Sequence, residues 1–307
     1  MGAASTMLPQ FGRVARLAQV LVVLTFGLIV LGAIVRATGS GLACPDWPLC
    51  HGRLLPPLQP QVLLEWSHRF VALCVSLLTA ALAIWILAAR PLRRALGGFV
   101  VLALGLLALQ VLLGALTVWK LLHFSVVTLH LGNALLFFAV LIAIAERAAR
   151  LERAEAGPSS SGAPRAVFAF ASGATLAQIL LGGLVSTNHA GLACPDFPTC
   201  HGEWWPPLEG LVGLQMLHRY GAYGLGALLV LVWWRSRAAA DVRIRAGAEV
   251  ALSLLVVQIV LGVMNVLLAV PVWITAAHLA TATVLFALLV LTTLRAFARP
   301  MPTGGAS

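Results

Sequence analysis

The sequence predicts an all-α, polytopic membrane protein of eight transmembrane helices, built as two tandem four-helix bundles. Composition is the first reason. Hydrophobic residues make up 61% of the 307 and charged residues only 10%, with a mean hydropathy of +0.98. A water-soluble chain of this length runs nearer half apolar and a quarter charged. The second reason is that eight apolar runs approach the ~20 residues that cross a bilayer. The third is an internal repeat: GLACPDWPLCHG (Gly41–Gly52) returns as GLACPDFPTCHG (Gly191–Gly202).

The runs fall at about 15–36, 63–89, 96–119, 124–145, 166–187, 212–234, 246–269 and 272–294. The first spans without a small-residue cleavage site, so it reads as a retained helix rather than a removed signal. Polar or proline-rich segments separate most of the others. The shortest breaks, Lys120–His123 and Val270–Pro271, read as hairpins joining the third run to the fourth and the seventh to the eighth. Residues 147–165 (RAARLERAEAGPSSSGAPR) are charged, then rich in Gly, Ser and Pro, and read as a cytoplasmic linker. It divides an N-terminal bundle, 1–146, from a C-terminal bundle, 166–307.

Orientation follows from the basic residues. Fifteen arginines flank one side of the runs, against Arg36, Arg53, Arg69, Lys120 and Arg219 on the other. The richer side is cytoplasmic, which puts both termini inside and the long loops 37–62 and 188–211 outside. The net charge of +10 is this same asymmetry, so no nucleic-acid partner is expected. The partner of such a surface is the lipid bilayer.

The repeat offset is 150 residues for Cys44/Cys194, Cys50/Cys200, His51/His201 and His68/His218. It becomes 148 for Gln110/Gln258, Gly114/Gly262 and His130/His278. With an even number of spans in each copy, both enter the membrane the same way round. That predicts a pseudo-two-fold axis along the membrane normal. The interiors of helical bundles are where cofactor sites are built.

His68, His130, His218 and His278 each sit within or at the rim of an apolar run, where an ionisable side chain defaults to a functional role. At about 1.5 Å per residue, the two members of each pair lie at similar depths from the outer side. Neutral imidazole is a good iron ligand, and two of them facing each other make a six-coordinate haem site. The alternative is four polar side chains hydrogen-bonded across helices without metal. Arg69 and Arg219 directly follow two of these histidines and Arg36 ends the first run at the same height. Arginine suits the propionates of haem, although interfacial snorkelling predicts the same placement.

The copies differ at one telling place. Glu65 precedes His68 by one turn, and its equivalent is Gln215. A carboxylate beside a haem pocket suits proton chemistry, so the first copy reads as reactive and the second as a holder. The blander account is a helix-end residue. Cys44/Cys50 and Cys194/Cys200 lie in outer, oxidising loops, which favours a disulfide within each loop. Four cysteines allow three connectivities, and the sequence leaves open whether the pairs are structural or redox-active. The Cys50-His51 and Cys200-His201 dipeptides depart from the C-x-x-C-H spacing of covalent haem attachment. Cys74 reads as a small core residue, and His123 and His189, which lack equivalents, as interfacial.

On GLACPDWPLCHG, EWSHR (Glu65–Arg69), TLHLGNA (Thr128–Ala134), LQMLHR (Leu214–Arg219) and AAHLATA (Ala276–Ala282), the chain resembles the haem A synthase family from about residue 15 to 296. The resemblance implies oxidation of the C8 methyl of haem O to a formyl group, for cytochrome oxidase. It implies that His218 and His278 hold a haem b cofactor, that His68 and His130 hold the substrate haem O, and that Glu65 is functionally important. The paired loop cysteines match a bacterial subtype. The implied partners are haem O and its synthase, with an electron donor that the sequence does not name. A homo-oligomer is compatible with it, as is a place in the cell's inner membrane.

Three rivals explain part of the pattern. A di-haem b electron-transfer protein, oxidising quinol, accounts for four histidines but not for Glu65 against Gln215. A haem transporter or chaperone needs only transient sites. A quinone-linked disulfide-forming enzyme would use the cysteines and leave the histidines idle.

Overall fold

The computed structural model describes residues 8–153 and 164–298. Eight α-helices run through them: α1 Leu8–Ala37, α2 Pro60–Ala88, α3 Arg90–Trp119, α4 Phe124–Glu152, α5 Arg165–Thr187, α6 Gly210–Ser236, α7 Val242–Leu267 and α8 Val272–Ala296. A 3-10 turn, Ala190–Leu192, follows α5. No named β-strand occurs among the described residues.

Seven of these helices are long and apolar enough to cross a membrane, which makes this a multi-pass membrane protein. The eighth expected span, α6, has the length but not the apolarity. Gly213, Gly221, Gly224, Gly226, Tyr220, Tyr223, His218 and Arg219 dilute its aliphatic residues. Helix ends also outrun the apolar runs. At 30 residues, α1 is about 45 Å long, beyond the ~30 Å hydrocarbon core. It starts well before the apolar run, with Arg13 and Arg16 in its early turns. Helix α4 continues through Glu152, so 147–152 of the expected linker are helical, while 154–163 fall outside the described residues. Only Ala89 separates α2 from α3, whose first turn takes Pro91 where no intrahelical N–H is needed.

The two expected hairpins are present and alike. Leu121 and Leu122 have φ of 49° and 58°, and their equivalents Ala269 and Val270 have 58° and 59°. Such left-handed non-glycine residues cost about 1–3 kcal/mol each, so the surroundings must impose them. Leu122 N–H donates to the Thr117 carbonyl at 2.8 Å and Val270 N–H to the Asn265 carbonyl at 2.7 Å, closing each helix end. The hairpin tips lie against the cysteine loops: a Cβ at Gly41 would meet Leu122, and one at Gly191 would meet Val270.

Helix α1 packs on α2 and α4, and α3 packs on the same two; likewise α5 packs on α6 and α8, and α7 on those two. The copies meet through α1 with α8, α4 with α5, and α4 with α8. Exchanging the copies maps this contact pattern onto itself. One apolar core joins Leu21, Leu82, Leu96 and Leu141. A second joins Phe168, Leu229, Ile244 and Leu289. A third, with Ile29, Leu135, Phe138, Ile179 and Phe286, fills the seam. Val23, Ile84 and Phe170 face outward and are largely exposed, as a lipid-covered surface requires.

Candidate functional site

The four candidate ligand histidines recur on even-numbered helices, and each lies against a glycine of the preceding helix. A Cβ on Gly32 of α1 would stand 3.1 Å from Cε1 of His68, and one on Gly182 of α5 would stand 2.9 Å from Cε1 of His218. The corresponding distances are 3.4 Å for Gly114 to His130 and 3.2 Å for Gly262 to His278. Glycine is therefore what lets each imidazole come so close to the neighbouring helix. The rings are half-buried.

Their nitrogens are unequally held. Gln178 Nε2 lies 3.0 Å from His218 Nδ1 and donates to the His218 carbonyl at 2.8 Å. Gln110 Nε2 lies 3.2 Å from His130 Nε2 and donates to the His130 carbonyl at 3.2 Å. Asn133 Nδ2 in turn donates to Gln110 Oε1 at 2.6 Å. Gln258 Nε2 lies 3.2 Å from His278 Nε2. The Nδ1 atoms of His68, His130 and His278 are buried without a partner.

Glu65 is buried and doubly engaged. Its Oε2 accepts the N–H of Cys44 at 2.7 Å, and Oε1 pairs with Arg69 Nη2 at 2.5 Å. Gln215 instead donates to the Gly191 carbonyl at 3.4 Å, and its own Oε1 is buried without a partner. The expected propionate arginines also donate to backbone carbonyls. Arg69 donates to the carbonyls of Asp46, Leu49 and Cys44. Arg219 donates to those of Thr199 and Cys194. Arg36 Nη2 donates to the carbonyl of Ser186, which stands at its own place in the second copy, 2.5 Å away.

Each cysteine loop is a small knot closed locally by a disulfide, Cys44–Cys50 and Cys194–Cys200, as expected. His51 and His201 adopt φ of 54° and 53°. Asp46 accepts the N–H groups of His51 and Gly52, and Asp196 those of His201 and Gly202. The Gly52 amide holds the Asp46 carboxyl below the usual carboxylate range. The Thr199 hydroxyl, then the Gly202 amide, hold Asp196 lower still. His51 and His201 contact the carbonyls of Ala43 and Ala193, so both belong to the loop knot. Cys74 is a half-buried free thiol. His123 precedes α4, with Nδ1 2.9 Å from the Ser125 hydroxyl, and His189 lies in the left-handed region at φ 55°.

Residues 15–290 match the family described as cytochrome oxidase assembly protein, COX15-CtaA. The chain belongs to this family. Haem A synthase of Symbiobacterium thermophilum is 33% identical over 243 residues, covering 76% of this chain and 79% of that protein. Haem A synthase of Shewanella oneidensis is 29% identical over 85% of this chain and 90% of its own length. That of Bacillus pumilus is 34% identical over 69% and 70%. For a COX15-CtaA chain the histidine sites fit the haem groups involved. Each ring keeps at least one nitrogen without a protein partner among the described residues, and a repeated glycine makes room beside it. Sequence reading passed over Gly32, Gly182 and Gln178. Their signal was a polar or side-chain-free residue inside an apolar run, and for the glycines the repeat offset as well.

Proposed function

We propose that this protein is a haem A synthase, oxidising the C8 methyl of haem O to a formyl group through successive hydroxylations. The observation that carries the reading is a pair of glycine-backed histidines in each copy, in a chain whose relatives bear that name. Each hydroxylation is a two-electron oxidation that adds one oxygen atom and needs an oxidant supplied from outside the chain: the methyl would pass to an alcohol and then to a geminal diol, which loses water to give the aldehyde.

His68 and His130 hold haem O in the N-terminal bundle, 1–146, and His218 and His278 hold haem b in the C-terminal bundle, 166–307. Haem b supplies electron transfer. Glu65, one turn before His68, handles a proton or opposes positive charge beside the reacting methyl. Arg36, which donates to Ser186 of α5, and Arg219, which donates to the second cysteine loop, keep further N–H groups, and these are the donors we assign to propionates. Arg69 has four N–H contacts to the loop and to Glu65, so its first duty is to hold the loop in place.

The same reading makes α6 the eighth span, relates the bundles by an axis along the membrane normal, and places the protein in the inner membrane. Both termini and the linker 147–165 are cytoplasmic, and the disulfide loops lie outside. Haem O arrives from its synthase, and a separate donor supplies electrons. The test is expression in a host that makes haem O, followed by extraction and chromatography of non-covalent haem. Haem A is the expected product. Recovery of haem O and haem b alone, with the protein inserted, overturns the reading.

A further inference from the structure

After each cysteine knot comes a run of five uncharged, mainly apolar residues, 54–58 (LLPPL) and 204–208 (WWPPL). Polar residues close both ends: Arg53 and Gln59 in the first copy, Glu203 and Glu209 in the second. Leu54, Leu55, Leu58, Trp204 and Trp205 are 59–86% exposed, so none of them feeds a core. A contiguous apolar surface of this kind marks a binding or membrane face. Each run folds back along the helix that follows it. Trp66 Nε1 donates to the Leu54 carbonyl at 2.9 Å, and the Tyr220 hydroxyl to the Trp204 carbonyl at 2.7 Å. These donors are not repeat equivalents, since Met216 stands at the place of Trp66 and Phe70 at that of Tyr220. The same carbonyl is thus tied down in both copies by different means. Trp66 also stacks on Phe70 at 5.3 Å, and Phe70 begins the outward stripe of α2 that continues through Leu73, Leu77 and Ile84. In the second copy the ring of Trp205 lies 5.2 Å from that of Tyr220.

We infer that residues 54–58 and 204–208 are twin anchors seated in the interfacial layer of the bilayer, with lipid headgroups and upper acyl chains as their partner, and that they set the height of the cysteine loops against α2 and α6. Three observations carry this. The exposed run is continuous with the lipid-covered stripe of α2 through Trp66 and Phe70. The level is right: α2, at 29 residues, is about 43 Å long and exceeds the ~30 Å hydrocarbon core by about 13 Å. Shared between the two ends, that excess puts Trp66, about 9 Å along the helix, at the boundary. Tryptophan and tyrosine favour that boundary. The backbone is also suited to it, because Pro56, Pro57, Pro206 and Pro207 have no N–H to leave unpaired away from water. The inference needs no particular chemistry at the histidines; for 204–208 it rests on the reading of α6 as a span.

The experiment is tryptophan fluorescence of the full chain in phosphatidylcholine vesicles, plain or with bromine on the acyl chains just below the headgroups. The emission lost on replacing Trp204→Phe and Trp205→Phe together is the signal of the second run. The emission gained by Leu55→Trp is that of the first, and Leu58→Trp carries this arm if Leu55→Trp disturbs the loop. Emission common to all variants, quenched by bromine throughout, reports insertion. Both signals should be blue-shifted, largely lost in brominated vesicles and insensitive to iodide in the water. A run whose signal is quenched by iodide and spared by bromine stands in water, which overturns the inference. Access to iodide in pure lipid together with protection in native membranes assigns the surface to a partner protein and overturns it equally. Neither result bears on the haem A assay, so the synthase reading stands or falls separately.

Discussion

Glu65 accepts the backbone N–H of Cys44 at 2.7 Å, so the carboxylate one turn before His68 also fastens a disulfide loop to α2. The second copy lacks that bond: Gln215 turns to Gly191 instead. A hydrogen bond to a charged acceptor is shorter and stronger than a neutral one. The exchange of Glu for Gln therefore alters both the charge at this position and the anchoring of the disulfide loop.

Glu65→Gln is the variant that separates these duties. The amide retains an oxygen for the Cys44 N–H and loses the ion pair with Arg69. We expect insertion, an intact Cys44–Cys50 bond and full haem b, with haem A output reduced by about 10²- to 10⁴-fold, the usual worth of a proton-transfer group. Haem analysis and non-reducing peptide mapping read the two effects independently. Near-normal haem A would reduce Glu65 to a loop anchor.

The C-terminal pair should carry the resident haem. His218→Ala or His278→Ala is expected to abolish the low-spin spectrum of the purified protein. His68→Ala or His130→Ala should leave that spectrum in place. Full bis-histidine haem b in either C-terminal variant would contradict the assignment.

The helical, membrane-spanning class was legible because 61% hydrophobic content and apolar runs are direct signatures of the bilayer as solvent. The repeat made the four histidines visible, and oxidising loops pointed to local disulfides. Other features were hidden for physical reasons. Helix ends such as Leu8 and Glu152 lie in polar sequence, where hydropathy carries no signal. Helix α6 trades apolarity for glycine and tyrosine. The engagement of Glu65 and Arg69 depends on where the loop folds back, which spacing along α2 does not encode. Gln178 was overlooked because its equivalent is Leu28, so the repeat that exposed the histidines concealed their supports.

The disulfide loops should resist mild acid. Asp46 and Asp196 are held below the ordinary range by donors of their own loops. A carboxyl depressed on folding stabilises the fold fully above its unfolded value of about 3.9 and ceases to do so as pH falls through the folded value. Both knots should therefore persist from neutral pH into mild acid and loosen only in strong acid, the Asp196 loop last because Thr199 adds a donor where the first copy has Leu49. Carboxyl-carbon chemical shifts measured against pH check the order. At neutral pH, Asp196→Asn should speed amide exchange at His201 and Gly202. Unchanged exchange there would remove Asp196 from the knot.

The glycines behind the histidines give a graded test of the site's geometry. A methyl group on Gly182 would approach Cε1 of His218 to 2.9 Å. That ring has little room to yield, since Gln178 holds both its Nδ1 and its backbone carbonyl. Overpacking of this kind costs about 1–3 kcal/mol, which outweighs the ~0.5–1 kcal/mol that alanine gains over glycine within a helix. Gly173, on the same helix, has nothing within 4 Å of its added Cβ. Gly182→Ala should therefore lower haem b occupancy and thermal stability together, while Gly173→Ala keeps haem b and stability at least equal to wild type. Across the four sites the damage should follow the distances: Gly182 at 2.9 Å, Gly32 at 3.1 Å, Gly262 at 3.2 Å and Gly114 at 3.4 Å. Haem content per chain and melting temperature measure it. Equal tolerance of alanine at Gly182 and Gly173 would mean that the imidazole of His218 does not rest against α5 in the loaded protein.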